Sequence, residues 1–124
     1  LAAPTVTSMR FTATAITGGS RTVAVQVTYD ERVTVTGTPQ VAIANGNQGT
    51  GSGRGPHTAS YASGSGTNRL TFSVASQTVA TDDVLTLGGS NVSLNSGTIK
   101  DTTDGSTAAS LVLSGLTAVT LTVT

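Results

Sequence analysis

Apolar and polar residues alternate along most of this chain, and the alternation is the first indication of its structure. Successive side chains of a β-strand point to opposite faces, so a strand with one buried face is apolar at every second position. The segment "RTVAVQVTY" (21–29) follows this rule, with three valines and a tyrosine on one face. Similar segments occur at 9–16, 33–37, 39–44, 69–74, 84–88, 91–95, 110–115 and 117–124. No stretch shows the 3.6-residue period of a helix, so the pattern predicts an all-β protein.

Glycine-rich and polar segments separate the alternating ones and predict turns at intervals near the roughly 8–12 residues typical of β-sandwiches. The segment "SGSGTN" (63–68) is expected to connect a hairpin, with Gly64 and Gly66 at positive φ. Parallel strands would need crossover helices, which the pattern lacks. We therefore predict a single domain, residues 1–124, with an antiparallel β-sandwich of Greek-key type. Residues 45–57, "NGNQGTGSGRGPH", are predicted to form an exposed loop.

Composition narrows the function classes. Only 10% of the 124 residues are charged, the formal net charge is zero and the aromatic content is 3%. Nucleic-acid binding normally requires a basic face, and base stacking requires exposed rings, so we expect no nucleic-acid partner. No apolar run approaches the ~20 residues of a membrane-spanning helix. Surfaces rich in Thr, Ser and Gly are typical of extracellular or virion proteins, and we expect one of these locations.

Candidate catalytic chemistry is sparse. The chain has no cysteine, so it offers no thiolate nucleophile and no Cys-based zinc site. His57 is the sole histidine, and no G-x-S-x-G nucleophile motif accompanies it. The 45–57 segment lacks the Lys and following helix of a phosphate-binding loop. We expect no enzyme, and we interpret Arg54 and His57 as candidates for contact with a partner.

Carboxylates form three small groups, and these are the candidates for a metal site. Calcium takes its ligands from carboxylate and carbonyl oxygens, which loops at one end of a sandwich can supply. "DTTDGST" lacks the EF-hand pattern, so ordinary turn hydrogen bonds remain the alternative interpretation. We expect no cofactor, with calcium as the one alternative. The candidate ligands are Asp30, Glu31, Asp82, Asp83, Asp101 and Asp104.

The C-terminal segment "TAVTLTVT" is long, uncharged and rich in β-branched residues. Such a strand either completes its own sheet or pairs with an exposed edge of a neighbouring subunit. We therefore interpret Val119, Leu121 and Val123 as further candidates for partner contact.

Three segments, in order, carry a resemblance to a known family. They are "YDERVTVTGTPQVAI" (29–43), "ASYASGSGTNRLTFSV" (59–74) and "DDVLTLGGSNVSLNSGTIKD" (82–101). Together they resemble the bacterial Ig-like repeats of very large cell-surface and adhesin-like proteins. The middle motif is the specific one. The chain departs from the repeat after Asp104–Gly105, where Ser106 stands in place of the usual Asn.

The resemblance implies an Ig-like sandwich and a non-enzymatic role. A single copy is similar to the Ig-like decoration modules of tailed bacteriophages, which implies a virion-surface protein that aids assembly stability or weak surface attachment. Its partners would be capsid, tail or neighbouring subunits in a homo- or hetero-oligomeric assembly. The alternative is an extracellular adhesin or filament repeat that binds a cell surface, including a host-surface glycan.

Overall fold

The computed structural model describes residues 3–46, 56–88, 91–113 and 116–124. These residues form eight β-strands, and the described part of the chain contains no helix. The strands are β1 Val6–Phe11, β2 Gly19–Thr36, β3 Gln40–Asn45, β4 His57–Ser63, β5 Thr67–Val79, β6 Val84–Leu87, β7 Thr98–Asp101 and β8 Val119–Thr122. The all-β prediction is therefore confirmed for the described residues.

The strands join into one antiparallel sheet that nearly closes on itself. Their order is β1-β2-β5-β4-β3-β6-β8, and β7 pairs with the second half of β2. Beyond β8, Val123 forms a parallel bridge with Ile16, in the segment between β1 and β2. Thr124 N–H donates to the Ile16 carbonyl at 2.9 Å, and Gly18 N–H donates to the Thr124 carbonyl at 3.3 Å. The last strand of the chain thus lies between β6 and the segment that follows β1.

β2 is the longest strand and organises the core. Residues Val23, Val25, Val27, Tyr29 and Val33 are all at most 2% exposed, while the residues between them are half-buried or exposed. This is the alternation that the sequence predicts, and it turns one face of the strand inward. The buried face packs with apolar side chains from the other strands, among them Ile43, Leu70, Phe72, Leu85, Leu87 and Ile99.

The β4–β5 hairpin connects as predicted, and its tip also binds β2. Gly64 and Gly66 have φ of 115° and 88°. Ser65 Oγ accepts a hydrogen bond from Val35 N–H at 2.9 Å, and Gly66 N–H donates to the Val33 carbonyl at 2.8 Å. The glycines therefore shape a turn that docks onto the sheet.

Three predicted strands differ in the structure. Residues 33–37 are not a separate strand, because β2 continues through Thr36 without a turn. Residues 91–95 contribute only an isolated bridge between Ser93 and Gln40, and residues 110–113 lie outside the strands. Conversely, β7 was not predicted.

The described residues contain no helix long and apolar enough to cross a membrane.

Candidate functional site

A buried polar cluster surrounds His57 at the start of β4. His57 is 2% exposed, because its pairing opposite Ile43 of β3 turns the ring inward. Its Nδ1 lies 2.9 Å from Gln77 Oε1, and its Nε2 lies 3.1 Å from Asn45 Nδ2. Asn45 Nδ2 also donates to Asp83 Oδ2 at 3.2 Å. Four polar side chains from three strands and the residue before β6 are thus joined, with His57 and Asp83 buried and Asn45 and Gln77 half-buried.

The amide groups determine which ring nitrogen carries the proton. Gln77 Nε2 donates to the Ala75 carbonyl at 3.0 Å, which leaves Oε1 to accept from His57 Nδ1–H. The Asn45 NH2 group faces the Asp83 carboxylate, so its second hydrogen is directed at His57 Nε2. This pattern fits the tautomer that carries its proton on Nδ1. Both nitrogens are engaged by amides, and the cluster joins the end of β3 to the start of β4.

The structure corrects the expectation that His57 contacts a partner from an exposed loop, since burial removes the ring from the surface. Arg54, the other candidate in that segment, lies outside the described residues. The sequence analysis missed Asn45 and Gln77. The one available signal was the alternation of "HTASY", which places His57 on the same face as buried Ala59.

The three carboxylate groups do not converge on one site. Asp82 and Asp83 lie beside the end of β8, where Asp82 N–H donates to the Val123 carbonyl at 2.8 Å. Asp30 and Glu31 lie in the second half of β2, near the turn that holds Asp101 and Asp104, because β7 pairs with β2 there. Within the described ranges, no group of three or more His, Asp or Glu side chains is placed to hold a metal ion.

Two of the carboxylates already accept hydrogen bonds from within the chain. Asp30 accepts from Thr5 N–H at 2.9 Å and from Thr5 Oγ1 at 3.0 Å, and these bonds lower the pKa of Asp30. Asp104 accepts from the Thr107 hydroxyl and from the backbone N–H groups of Thr107 and Ser106. The hydrogen bonds from Thr107 and Ser106 lower the pKa of Asp104 to about 2. Asp30 thus links the residue before β1 to β2, and Asp104 stabilises the turn at residues 104–107.

Asp101 differs from these two because it is buried and only half satisfied. Its side chain is 0% exposed at the end of β7. Oδ1 accepts a hydrogen bond from Thr103 N–H at 2.8 Å, whereas Oδ2 has no hydrogen-bond partner among the described residues. Buried polar atoms of folded proteins are nearly always hydrogen-bonded, so this oxygen requires an explanation.

The C-terminal candidates belong to the core. Val123 is 0% exposed, Leu121 is 9% exposed, and Val119 is half-buried and packs against the core. Leu121 pairs with Leu85 of β6, so β8 completes the sheet of its own chain. Of the two roles predicted for this segment, the structure shows the one in which it completes its own sheet. Leu121 and Val123, interpreted from the sequence as candidates for partner contact, lie instead in the core of their own chain.

A shallow groove of about 310 Å³ lies beside the segment between β1 and β2. Its lining residues are Ala13, Ala15, Ile16, Thr17, Arg21 and Thr22. The Arg21 guanidinium donates to the carbonyls of Thr17, Ser20 and Gly18 and to Thr17 Oγ1, at 3.0 to 3.4 Å. Arg21 therefore uses most of its hydrogen-bond donors to close the turn at residues 17–20.

Comparison with known proteins identifies no relative of this chain. No protein-family model matches the chain, and searches of curated proteins and of solved structures find no match.

Proposed function

We propose that this chain is a non-enzymatic structural module with an Ig-like β-sandwich fold. The order of its strands carries the fold proposal. Ig-like sandwiches place strands A, B, E and D in one sheet and C, F and G in the other. With β1 to β5 as A to E, and β6 and β8 as F and G, the observed order reads A-B-E-D followed by C-F-G.

One further feature supports the Greek-key arrangement. β3, β4 and β5 follow one another as antiparallel neighbours, and β2 then lies beside β5 instead of β3. Three sequential strands with a fourth beside the far one is the Greek-key order. The hydrogen bonds between β3 and both β4 and β6 join the two sheets, which makes the sandwich nearly continuous.

The structural role is supported by how the polar side chains are used. Arg21, Asp30, His57 and Asp104 each hydrogen-bond within the chain, where they close turns or tie strands together. Together with the resemblance to Ig-like repeats and phage decoration modules, this favours a protein that adds a stable surface unit to a larger assembly. We propose a decoration or cement protein of a bacteriophage virion, held by capsid, tail or neighbouring subunits.

Immunogold electron microscopy with antibodies to this chain tests the location. The samples are purified virions and the cells of the source culture, and pre-immune serum is the matched control. We expect regular labelling of the particles. Labelling of cell envelopes alone would overturn the virion role and favour the alternative, an adhesin or filament repeat. Labelling of neither would contradict both.

A further inference from the structure

The unpartnered oxygen of Asp101 is the strongest indication of a ligand in the described structure. Asp101 is fully buried, and no described donor reaches Oδ2. An ionised carboxylate is costly to bury unless a cation or several hydrogen bonds compensate its charge. A second, nearby source of oxygen ligands would convert this unsatisfied atom into part of a cation site.

Glu31 is the carboxylate of β2 that lies fewest residues from Val33, the residue paired with Asp101. Asp101 pairs with Val33, and Thr102 N–H donates to the Arg32 carbonyl at 3.1 Å, so the pairing of β2 with β7 reaches this point. Glu31 lies two residues before Val33 in β2 and is half-buried, whereas its neighbours Asp30 and Arg32 are exposed. Diagonal neighbours across an antiparallel pair are about 7–8 Å apart, within reach of a long side chain.

The carboxylates of Asp30 and Asp104 already accept hydrogen bonds. The Asp30 oxygens are bonded to Thr5, and those of Asp104 are bonded to Ser106 and Thr107. Among the four acidic residues at this end, Asp101 is therefore the one with a buried oxygen left unsatisfied.

We propose that Asp101 and Glu31 bind one calcium ion at this end of the sheet. Calcium accepts irregular sets of six to eight oxygen ligands, and backbone carbonyls and water commonly complete such sets. Magnesium demands near-ideal octahedral geometry and gives up water reluctantly, so two carboxylates of this kind favour calcium. With only two carboxylates, we expect a dissociation constant of order 10⁻⁴–10⁻³ M, the range of extracellular modules.

Thermal unfolding followed by circular dichroism tests the site, first in EDTA and then with calcium chloride up to about 10 mM. An ion that binds only the folded chain raises its melting temperature, and we expect a rise of about 5 °C for the wild type. Asp101→Asn should abolish the rise, because it removes the buried charge. Glu31→Gln should abolish or greatly reduce it. Asp82→Asn is the matched control, since Asp82 is exposed at the other end of the molecule, and it should respond as the wild type does.

Several results would overturn the proposal. These are a wild type that does not respond to calcium, an Asp101→Asn or Glu31→Gln variant that responds as the wild type does, and an equal response to magnesium. Should Asp101→Asn fail to fold, Glu31→Gln decides the question, because its half-buried side chain lies outside the core. None of these results depends on whether the chain decorates a virion.

Discussion

At the scale of single residues, the hairpin requires glycine at positions 64 and 66 for different reasons. A Cβ at Gly64 would lie 2.1 Å from the Arg69 carbonyl oxygen, a distance that requires the backbone to move. A Cβ at Gly66 would meet no atom within 4 Å, although its φ of 88° is also positive. Gly64 is therefore required by both space and conformation, and Gly66 by conformation alone.

This contrast predicts the stabilities of two matched variants. Gly66→Ala should cost about 1–2 kcal/mol of the free energy of unfolding, the strain of a left-handed alanine. Gly64→Ala should cost roughly 3 kcal/mol or more, because the clash with the Arg69 carbonyl adds to that strain. Urea denaturation measures both values. Equal losses in the two variants would contradict the turn geometry.

At the scale of elements, long-range hydrogen bonds fasten the connections to the strands. The Tyr29 hydroxyl of β2 donates to the Ser110 carbonyl at 2.8 Å, and Ser110 N–H donates to the Pro4 carbonyl at the same distance. Residues 107–113 are thus held to the sheet without being a strand. Burial raises the pKa of Tyr29 to about 12.

That raised pKa predicts a loss of stability at alkaline pH. The unfolded chain releases the Tyr29 proton near pH 10, while the folded chain keeps it until about pH 12. The stabilisation is complete below pH 10 and is lost as the pH rises toward 12, by about 2–3 kcal/mol in all. Urea denaturation from pH 8 to 11.5 measures this slope. Tyr29→Phe should flatten it, whereas Tyr61→Phe should leave it; the same slope in Tyr29→Phe would refute the assignment.

The sequence predicted the buried faces better than the backbone pairing. Val23 to Tyr29 and Leu70 to Phe72 alternate as expected, because burial acts on side chains that the sequence displays. Leu113 is likewise buried, yet residues 110–113 form no strand, since an inward side chain does not require a paired backbone. β7 was not predicted, because its sequence, "TIKD", is short and contains a lysine and an aspartate. The His57 cluster could not be predicted, because Asn45, Gln77 and Asp83 meet only through the register of three strand pairs.

At the scale of the whole molecule, the described strands nearly close the sheet with segments of the same chain. β8 hydrogen-bonds to β6 on one side, and the residues that follow it bond to Ile16 and Gly18 on the other. The hydrogen bonds to Ile16 and Gly18 involve Thr124, so the protein's own chain covers the C-terminal end of this edge. In the decoration role that we propose, β8 belongs to the sheet of its own chain, and partners contact the outer surface of the domain.

An engineered disulfide between β6 and β8 tests this closure most directly, and the cysteine-free chain suits it. Thr86 and Thr120 are directly opposed, and neither is buried. Opposed residues of antiparallel strands lie at separations that a disulfide can span. The matched control pairs Thr86→Cys with Thr122→Cys, which is two residues out of register.

The measurement is non-reducing electrophoresis and intact-mass analysis after mild oxidation of dilute protein. We predict that the Thr86→Cys/Thr120→Cys variant forms an intramolecular disulfide in a monomer, faster than the out-of-register control does. Disulfide-linked dimers as the main product would show that β8 pairs with another copy of the chain and would contradict this account.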